Sequence, residues 1–330
     1  MFQESNQPPG AGVKTAPAVN SGPQTTVTNQ RIVHNLKGIF PPVVTPFNRR
    51  GDVDEKQFRE NLQKYAGTGL AGVVVAGSTG EALSLNEAER LRLIEIARDV
   101  VRPPELLLAG TGLESTRETI RLSREAIARG ADALLVLPPH YYKPKMDRTA
   151  LIAHFKELAG KVKRPVVLYS IPQFTGISME VETIATLSRH PNIVGIKESS
   201  GNLAFVKTIV RKVAPGFRVL VGSVAILLDA LRAGAAGAVL GQACFAPALC
   251  VGVYEAFCRG QAKSARELQQ RLLLLAQKIS LPFGVSGIKA ALDLSGYHGG
   301  LPRSPLLPLS AESHRVVSAA LREARAGLEL

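Results

Sequence analysis

The segment Asn192-Ile193-Val194-Gly195-Ile196-Lys197-Glu198-Ser199 places a lysine at the end of a short apolar run. In a strand, alternate residues share a face, so Lys197 points with Gly195 and away from Val194 and Ile196. A run apolar on both faces is typical of a parallel sheet covered by helices. An ammonium buried there is costly unless it is paired or reaches an opening. A lysine held as the neutral amine is a nucleophile able to form an imine with a carbonyl compound. The plain alternative is a lysine that ends a strand and reaches solvent. Tyr169 ends a second apolar run, Pro165–Ile171, and shares a face with Val167. A phenol beside an amine can carry protons during imine formation and C–C cleavage. A core tyrosine with a satisfied hydroxyl is the competing reading.

Gly77-Ser78-Thr79-Gly80-Glu81 follows another apolar run, Ala71–Gly77. Two glycines flank two hydroxyl residues, so the loop can present backbone N–H groups and hydroxyls to a carboxylate or phosphate. It also reads as a tight turn with a helix cap. Tyr141-Tyr142 follow Pro138-Pro139, and adjacent tyrosines on a loop often serve packing or an interface. His140, His154, His190 and His298 are dispersed, and no His- or carboxylate-rich cluster has metal-ligand spacing. No metal is expected.

Positioning these groups requires a repeated unit. Apolar runs at Gly38–Phe47, Ala71–Gly77, Leu106–Thr111, Ala133–Pro139, Pro165–Ile171, Ile193–Ser199, Phe217–Gly222 and Gly237–Gln242 alternate with amphipathic stretches. Asn86 and Glu89 form a capping-box signature for a helix to Val101, and Ser115 with Glu118 a second for one to Arg129. Eight strand–helix units predict an α/β fold, a (β/α)8 TIM barrel over residues 35–245. A doubly wound sheet would show a glycine-rich dinucleotide loop after the first strand, where Thr45-Pro46-Phe47 stands instead. Residues 246–330 predict a C-terminal helical extension with an irregular stretch at Gly296–Pro308. Residues 1–34 are rich in Pro, Gly, Ser, Thr, Gln and Asn and predict a disordered tail. Barrel chemistry sits at the C-terminal ends of strands. That rule selects Thr45, Gly77–Glu81, Thr111, Tyr141-Tyr142, Tyr169, Lys197, Ser199 and Gly222-Ser223.

The net charge of +13 over 330 residues raises the question of nucleic acid or anionic lipid. The basic residues are scattered on helical patterns, as at Arg117, Arg121, Arg124 and Arg129. The chain has no tryptophan and no interleaved basic–aromatic segment, so no nucleic-acid partner is expected. The three cysteines, Cys244, Cys250 and Cys258, lie in apolar segments without metal-ligand spacing and read as thiols in a reducing compartment. No run is long enough to span a bilayer and no signal peptide is visible, so a cytoplasmic location without membrane partners is expected.

Gly-Ser-Thr-Gly-Glu after the second run, Pro-His-Tyr-Tyr after the fourth, Tyr-Ser-Ile-Pro-x-x-Thr-Gly after the fifth and Gly-Ile-Lys-Glu-Ser-Ser-Gly after the sixth occur in order. This combination, from about Gly38 to Pro308, resembles the dihydrodipicolinate synthase / N-acetylneuraminate lyase family. The resemblance implies a Schiff-base-forming lyase or aldolase that uses pyruvate and needs no cofactor beyond the imine. Lys197 looks like the imine-forming lysine and Tyr169 like the proton-shuttling tyrosine. Ser78 corresponds to the hydroxyl that links it to a second tyrosine. Tyr142 resembles that second tyrosine, which family members insert from a neighbouring subunit. Ser78, Thr79, Ser199 and Gly222 match substrate-binding positions. A homodimer or homotetramer is thereby implied.

Phe174 stands where dihydrodipicolinate synthases carry an arginine that grips the second substrate's carboxylate. A phenyl ring cannot replace a bidentate guanidinium. Leu106–Gly112, Glu114–Thr116, His190–Gly195 and Phe283–Gly300 are more similar to the 4-hydroxy-2-oxoglutarate aldolases of the family. Thr79 departs from the asparagine that some of those enzymes carry. Cleavage of 4-hydroxy-2-oxoglutarate to pyruvate and glyoxylate is therefore the expected reaction. The alternatives are condensation of pyruvate with aspartate semialdehyde, and a sugar-acid aldolase or dehydratase.

Overall fold

Short apolar runs form eight strands in the computed structural model, which describes residues 23–327. They are β1 (Gly38–Phe40), β2 (Gly72–Val75), β3 (Leu106–Gly110), β4 (Ala133–Val136), β5 (Val166–Ser170), β6 (Ile193–Glu198), β7 (Arg218–Val221) and β8 (Gly237–Val239). Each lies within its expected run, and most of the run's remaining residues pass into the loop at the strand's C-terminal end. The strands pair in parallel in the order β1-β8-β7-β6-β5-β4-β3-β2. The Ala71 amide donates to the Ile39 carbonyl (2.9 Å) and that of Val74 to Pro41 (3.0 Å), which joins β2 back to β1. Helices follow the strands around the outside, giving the expected (β/α)8 barrel.

Period-two alternation divides the core in two. Phe40, Val74, Leu108, Leu135, Val167 and Leu220 fill the barrel interior. Leu168, Ile196 and Val221 face outward and pack with the helices in the larger cluster. The helix Glu87–Val100 has the full capping box, with Asn86 and Glu89 exchanging bonds of 2.9 Å. In the helix Thr116–Ala128, Ser115 Oγ accepts from the Glu118 amide at 3.4 Å. The Glu118 carboxylate is drawn to Arg121 (2.7 Å) and does not complete the reciprocal box.

Two stretches carry structure that the pattern did not name. The tail expected through His34 contains a helix at Pro23–Asn35; its earlier part lies outside the described residues. Ile32 and the following Leu36 are buried against the lower barrel interior, Leu36 reaching Gly195. Arg218 Nε donates to the Val33 carbonyl at 3.2 Å. The physical reason is burial: a polar helix acquires order from two apolar side chains that stopper the barrel's N-terminal mouth. Helix Pro247–Cys258 packs on β1, with Val251 at Gly69 and Tyr254 at Gly38, so it serves as the eighth helix of the barrel. The chain that follows this helix begins its next one at Ala262. It comprises the helices Ala262–Leu275, Leu281–Asp293 and Ala311–Arg325, the first two joined by a π-helical turn. No helix among the described residues is long and apolar enough to cross a membrane.

Candidate active site

The period-two argument places Lys197 and Tyr169 on the interior face, and the register sets them side by side. Tyr169 on β5 pairs with Lys197 on β6, which pairs with Leu220 on β7. Lys197 is 5 % exposed, and its Nζ stands 3.9 Å from the centroid of the Tyr169 ring. The Tyr169 hydroxyl is 3.3 Å from Ser78 Oγ, across the barrel mouth from the end of β2. Three separate strand ends thus bring an amine, a phenol and an alcohol into one group.

The turn carrying Ser78 is held in an unusual shape. Ala76 (φ 54°) and Glu81 (φ 55°), which bracket it, both occupy the left-handed region that disfavours side chains. Gly110 is required here, because a Cβ on it would lie 2.0 Å from the Ala76 carbonyl oxygen. Thr45 Oγ1 donates to the Gly80 carbonyl at 2.7 Å. The Ser78 and Gly77 carbonyls accept from Glu81 and Ala82, while the Ser78 and Thr79 amides donate to no carbonyl among the described residues. The result is a concavity with two free N–H groups and two hydroxyls, suited to a carboxylate.

Ser199 follows Lys197. Its amide donates to the Ser170 carbonyl (2.9 Å), and its own carbonyl accepts from Gln173 Nε2 (2.9 Å). Its hydroxyl is buried without a hydrogen-bond partner among the described residues. Gly222 makes room for it: a Cβ there would sit 1.9 Å from Ser199 Oγ. Glu198, next to Lys197 in sequence, lies on the strand's outer face and is fully buried. Burial pushes its carboxyl above the usual range, opposed by the Ser200 amide bond to Oε1 at 2.9 Å.

Tyr142 and Phe174 are both exposed. Tyr142 is 68 % exposed and stacks edge-on against Tyr141, with ring centroids 5.1 Å apart. Its hydroxyl bonds neither Ser78 nor Tyr169 of the same chain. Glu114 fixes this loop, accepting from the His140 and Tyr141 amides at 2.9 and 2.8 Å. Phe174 is 70 % exposed on the one-turn helix Pro172–Thr175. It lines a cavity of about 550 Å³ at the barrel mouth, together with Ser78, Tyr169, Leu137, Phe283 and Leu306. Lys197, Thr79, Tyr142, Ser199 and Gly222 lie outside that lining. Among the described residues no group of three or more His, Cys, Asp and Glu is placed to hold a metal ion.

One feature escaped the sequence reading. The Glu81 carboxylate, the end of the hydroxyl-bearing loop, is buried against Lys289 Nζ at 2.5 Å. Lys289 stands in the apolar run Gly287-Ile288-Lys289-Ala290-Ala291-Leu292 of the extension. The signal was the same as for Lys197, a lone cation in a buried stretch.

Comparison with known proteins shows the family. The model of the dihydrodipicolinate synthetase family matches residues 35–324. A 4-hydroxy-tetrahydrodipicolinate synthase from Methanothrix thermoacetophila is 37% identical over 84% of this chain and 93% of its own length. A probable mitochondrial 4-hydroxy-2-oxoglutarate aldolase from Emericella nidulans is 35% identical over 88% of this chain and 94% of its own. The solved structure of YagE, a prophage protein of the dihydrodipicolinic acid synthase family from E. coli K12 in complex with pyruvate, superposes with a TM-score of 0.83. It is 31% identical and covers 88% of this chain and 99% of its own. With the barrel, the paired lysine and tyrosine and a family match over almost the whole described chain, the protein belongs to the dihydrodipicolinate synthetase family and is a lyase of the aldolase type.

Proposed function

We propose that the chain is a class I pyruvate aldolase that cleaves 4-hydroxy-2-oxoglutarate to pyruvate and glyoxylate through an imine on Lys197. The observation that carries this reading is the Lys197–Tyr169–Ser78 group, with Nζ 3.9 Å from the phenol ring and the phenol 3.3 Å from the serine. The Lys197 amine adds to the substrate's keto carbon, and the hydroxyl of the resulting carbinolamine takes a proton from the Tyr169 phenol and leaves as water, giving the protonated imine and a phenolate. The C3–C4 bond then breaks, its electron pair moving into the imine to form an enamine. The C4 hydroxyl proton passes to the Tyr169–Ser78 pair, and C4 departs as the glyoxylate aldehyde. The enamine takes a proton at C3, and water releases pyruvate and restores the amine.

The free N–H groups of Ser78 and Thr79 support binding of the carboxylate beside the keto group, which orients it toward Lys197. The unpartnered Ser199 hydroxyl, beside Gly222, offers a donor for the distal carboxylate. Phe174 in place of an arginine, and the resemblance to the Emericella aldolase, favour this substrate. Identity to the Methanothrix synthase favours a second reading, condensation of pyruvate with aspartate semialdehyde. Exposed Tyr142 supports a homodimer or homotetramer in which it reaches a neighbouring copy's site.

Borohydride reduction in the presence of pyruvate, followed by peptide mapping, tests the imine. A single adduct on Lys197 is expected, and an adduct elsewhere or none rejects the mechanism. Release of glyoxylate from 4-hydroxy-2-oxoglutarate is expected to exceed turnover of pyruvate with aspartate semialdehyde. The reverse order establishes the synthase reading.

A further inference from the structure

The Ser78–Thr79 turn is strained at both ends, so something must hold it. Its own strand does not suffice: β2 ends at Val75, before the first left-handed residue. The restraint comes from 222 residues further along the chain and from the irregular segment after helix Leu281–Asp293.

Lys289 lies at the centre of this restraint. Its Nζ contacts Glu81 Oε1 at 2.5 Å, with the two side chains 2 and 1 % exposed. The same ammonium donates to the Thr45 carbonyl (2.8 Å) and the Leu301 carbonyl (2.6 Å) and lies 4.6 Å from the centre of the Phe47 ring. Thr45 in turn holds Gly80 through its hydroxyl. The other oxygen of Glu81 accepts from the Arg303 amide at 2.8 Å. The Arg303 side chain is anchored to both oxygens of Glu89, at 2.7 and 2.8 Å, and to the Gly51 carbonyl. Each polar group of the Glu81 carboxylate therefore ends on the C-terminal extension. Burial pulls the Lys289 ammonium below the usual lysine range, and the Glu81 carboxylate opposes that pull.

A pair this deeply buried is a poor source of net stability, because desolvation offsets most of the attraction. Its geometric effect is larger. Both ends of the loop segment Gly80-Glu81 are tied, one through Thr45 and one directly, and the tie converges on one nitrogen. We propose that Lys289 is a positioning residue for the reaction. By holding Glu81 and Thr45 it keeps the Ser78 and Thr79 amides aimed at the carboxylate of the keto acid, without touching substrate itself. This rests on the imine-forming reading above.

The test separates carboxylate recognition from imine chemistry. Lys289→Met and wild type are each reduced with borohydride in the presence of pyruvate or its neutral ester, methyl pyruvate, and the rate of adduct formation on Lys197 is measured at low ketone concentration. In wild type pyruvate is expected to be preferred. In K289M the pyruvate-to-ester ratio is expected to fall about tenfold or more, the order of one lost charge-assisted contact. The ester rate is expected to change by less than about threefold, and Lys289→Arg to recover part of the ratio. General loosening of the fold lowers both rates together, and an unchanged ratio overturns the proposal. Should K289M not fold, Glu81→Gln removes the charge that Lys289 holds and is expected to lower the ratio in the same direction; a wild-type ratio in E81Q overturns it equally. Absence of any adduct on wild-type Lys197 instead rejects the aldolase mechanism itself.

Discussion

Tyr169 and Lys197 occupy the same register position on adjacent parallel strands, and the lysine nitrogen lies 3.9 Å from the centre of the phenol ring. The backbone ladder, more than any loop, fixes their separation. Tyr169→Phe preserves the ring face next to Nζ and removes only the hydroxyl that meets Ser78. Its kcat is expected to fall by roughly 10²–10⁴-fold, the range for loss of a positioned proton carrier. Borohydride with pyruvate is still expected to label Lys197. Steady-state kinetics and adduct mass read the two effects separately; a kcat within tenfold of wild type shows that protons travel by another route.

Tyr142 is exposed and bonds nothing in its own site, which suits a residue that works in a neighbouring copy. Tyr142→Ala and Lys197→Ala are each expected to be inactive. Co-expressed, they form mixed assemblies in which an intact lysine meets an intact tyrosine. About a quarter of wild-type activity is expected to return with random pairing in a two-fold interface. No recovery, with mixed assemblies demonstrated by mass, removes the inter-subunit role.

Leu36 is fully buried where the N-terminal helix meets the barrel interior. Leu36→Ala is expected to lower stability by about 2–4 kcal/mol, read from the urea midpoint. The site lies at the opposite mouth, so kcat per folded molecule is expected to stay within twofold. A large loss of kcat at unchanged midpoint contradicts the assignment of this helix as a floor.

His154 is buried with its Nδ1 2.8 Å from Thr116 Oγ1 and its Nε2 without a partner. Burial lowers its pKa to about 4 from an ordinary 6.5, opposed by the Glu114 charge. The unfolded chain then binds this proton at higher pH than the folded one. Its contribution is complete above pH 6.5 and lost as pH falls toward 4, by up to roughly 3 kcal/mol. His154→Asn, which keeps a partner for Thr116, is expected to be less stable at neutral pH and to approach wild type as pH falls through that window. Parallel urea titrations of both proteins check this, and a constant difference across the window excludes His154 as the titrating group.

The residues legible in the sequence were those whose environment repeats every two positions. Lys197 and Tyr169 declared their face through Gly195 and Val167, and capping chemistry marked the helix after Asn86. Lys289 carried an equally clear signal, but its partner Glu81 is far away in the chain, and no local pattern names a distant partner. Tyr142 was legible through the family motif alone, because within one chain it is exposed and meets only Tyr141. The helix Pro23–Asn35 was missed because its composition is polar. Its order comes from docking Ile32 and Leu36, a tertiary effect invisible to periodicity.

The tie between Glu81 and Arg303 also has a tempo. The two residues are separated by 222 positions. At about 5–20 residues per second of synthesis, the loop waits roughly ten to forty-five seconds for its anchor to be made. Late in that interval, once Val239 has been added, a ribosome-bound chain contains Lys197, Tyr169 and all eight strands, while Lys289 and Arg303, the partners of the Glu81 carboxylate, are still to be made. On the role proposed for Lys289, the turn that would receive the substrate carboxylate is secured only after the helix Leu281–Asp293 and Arg303 have left the ribosome.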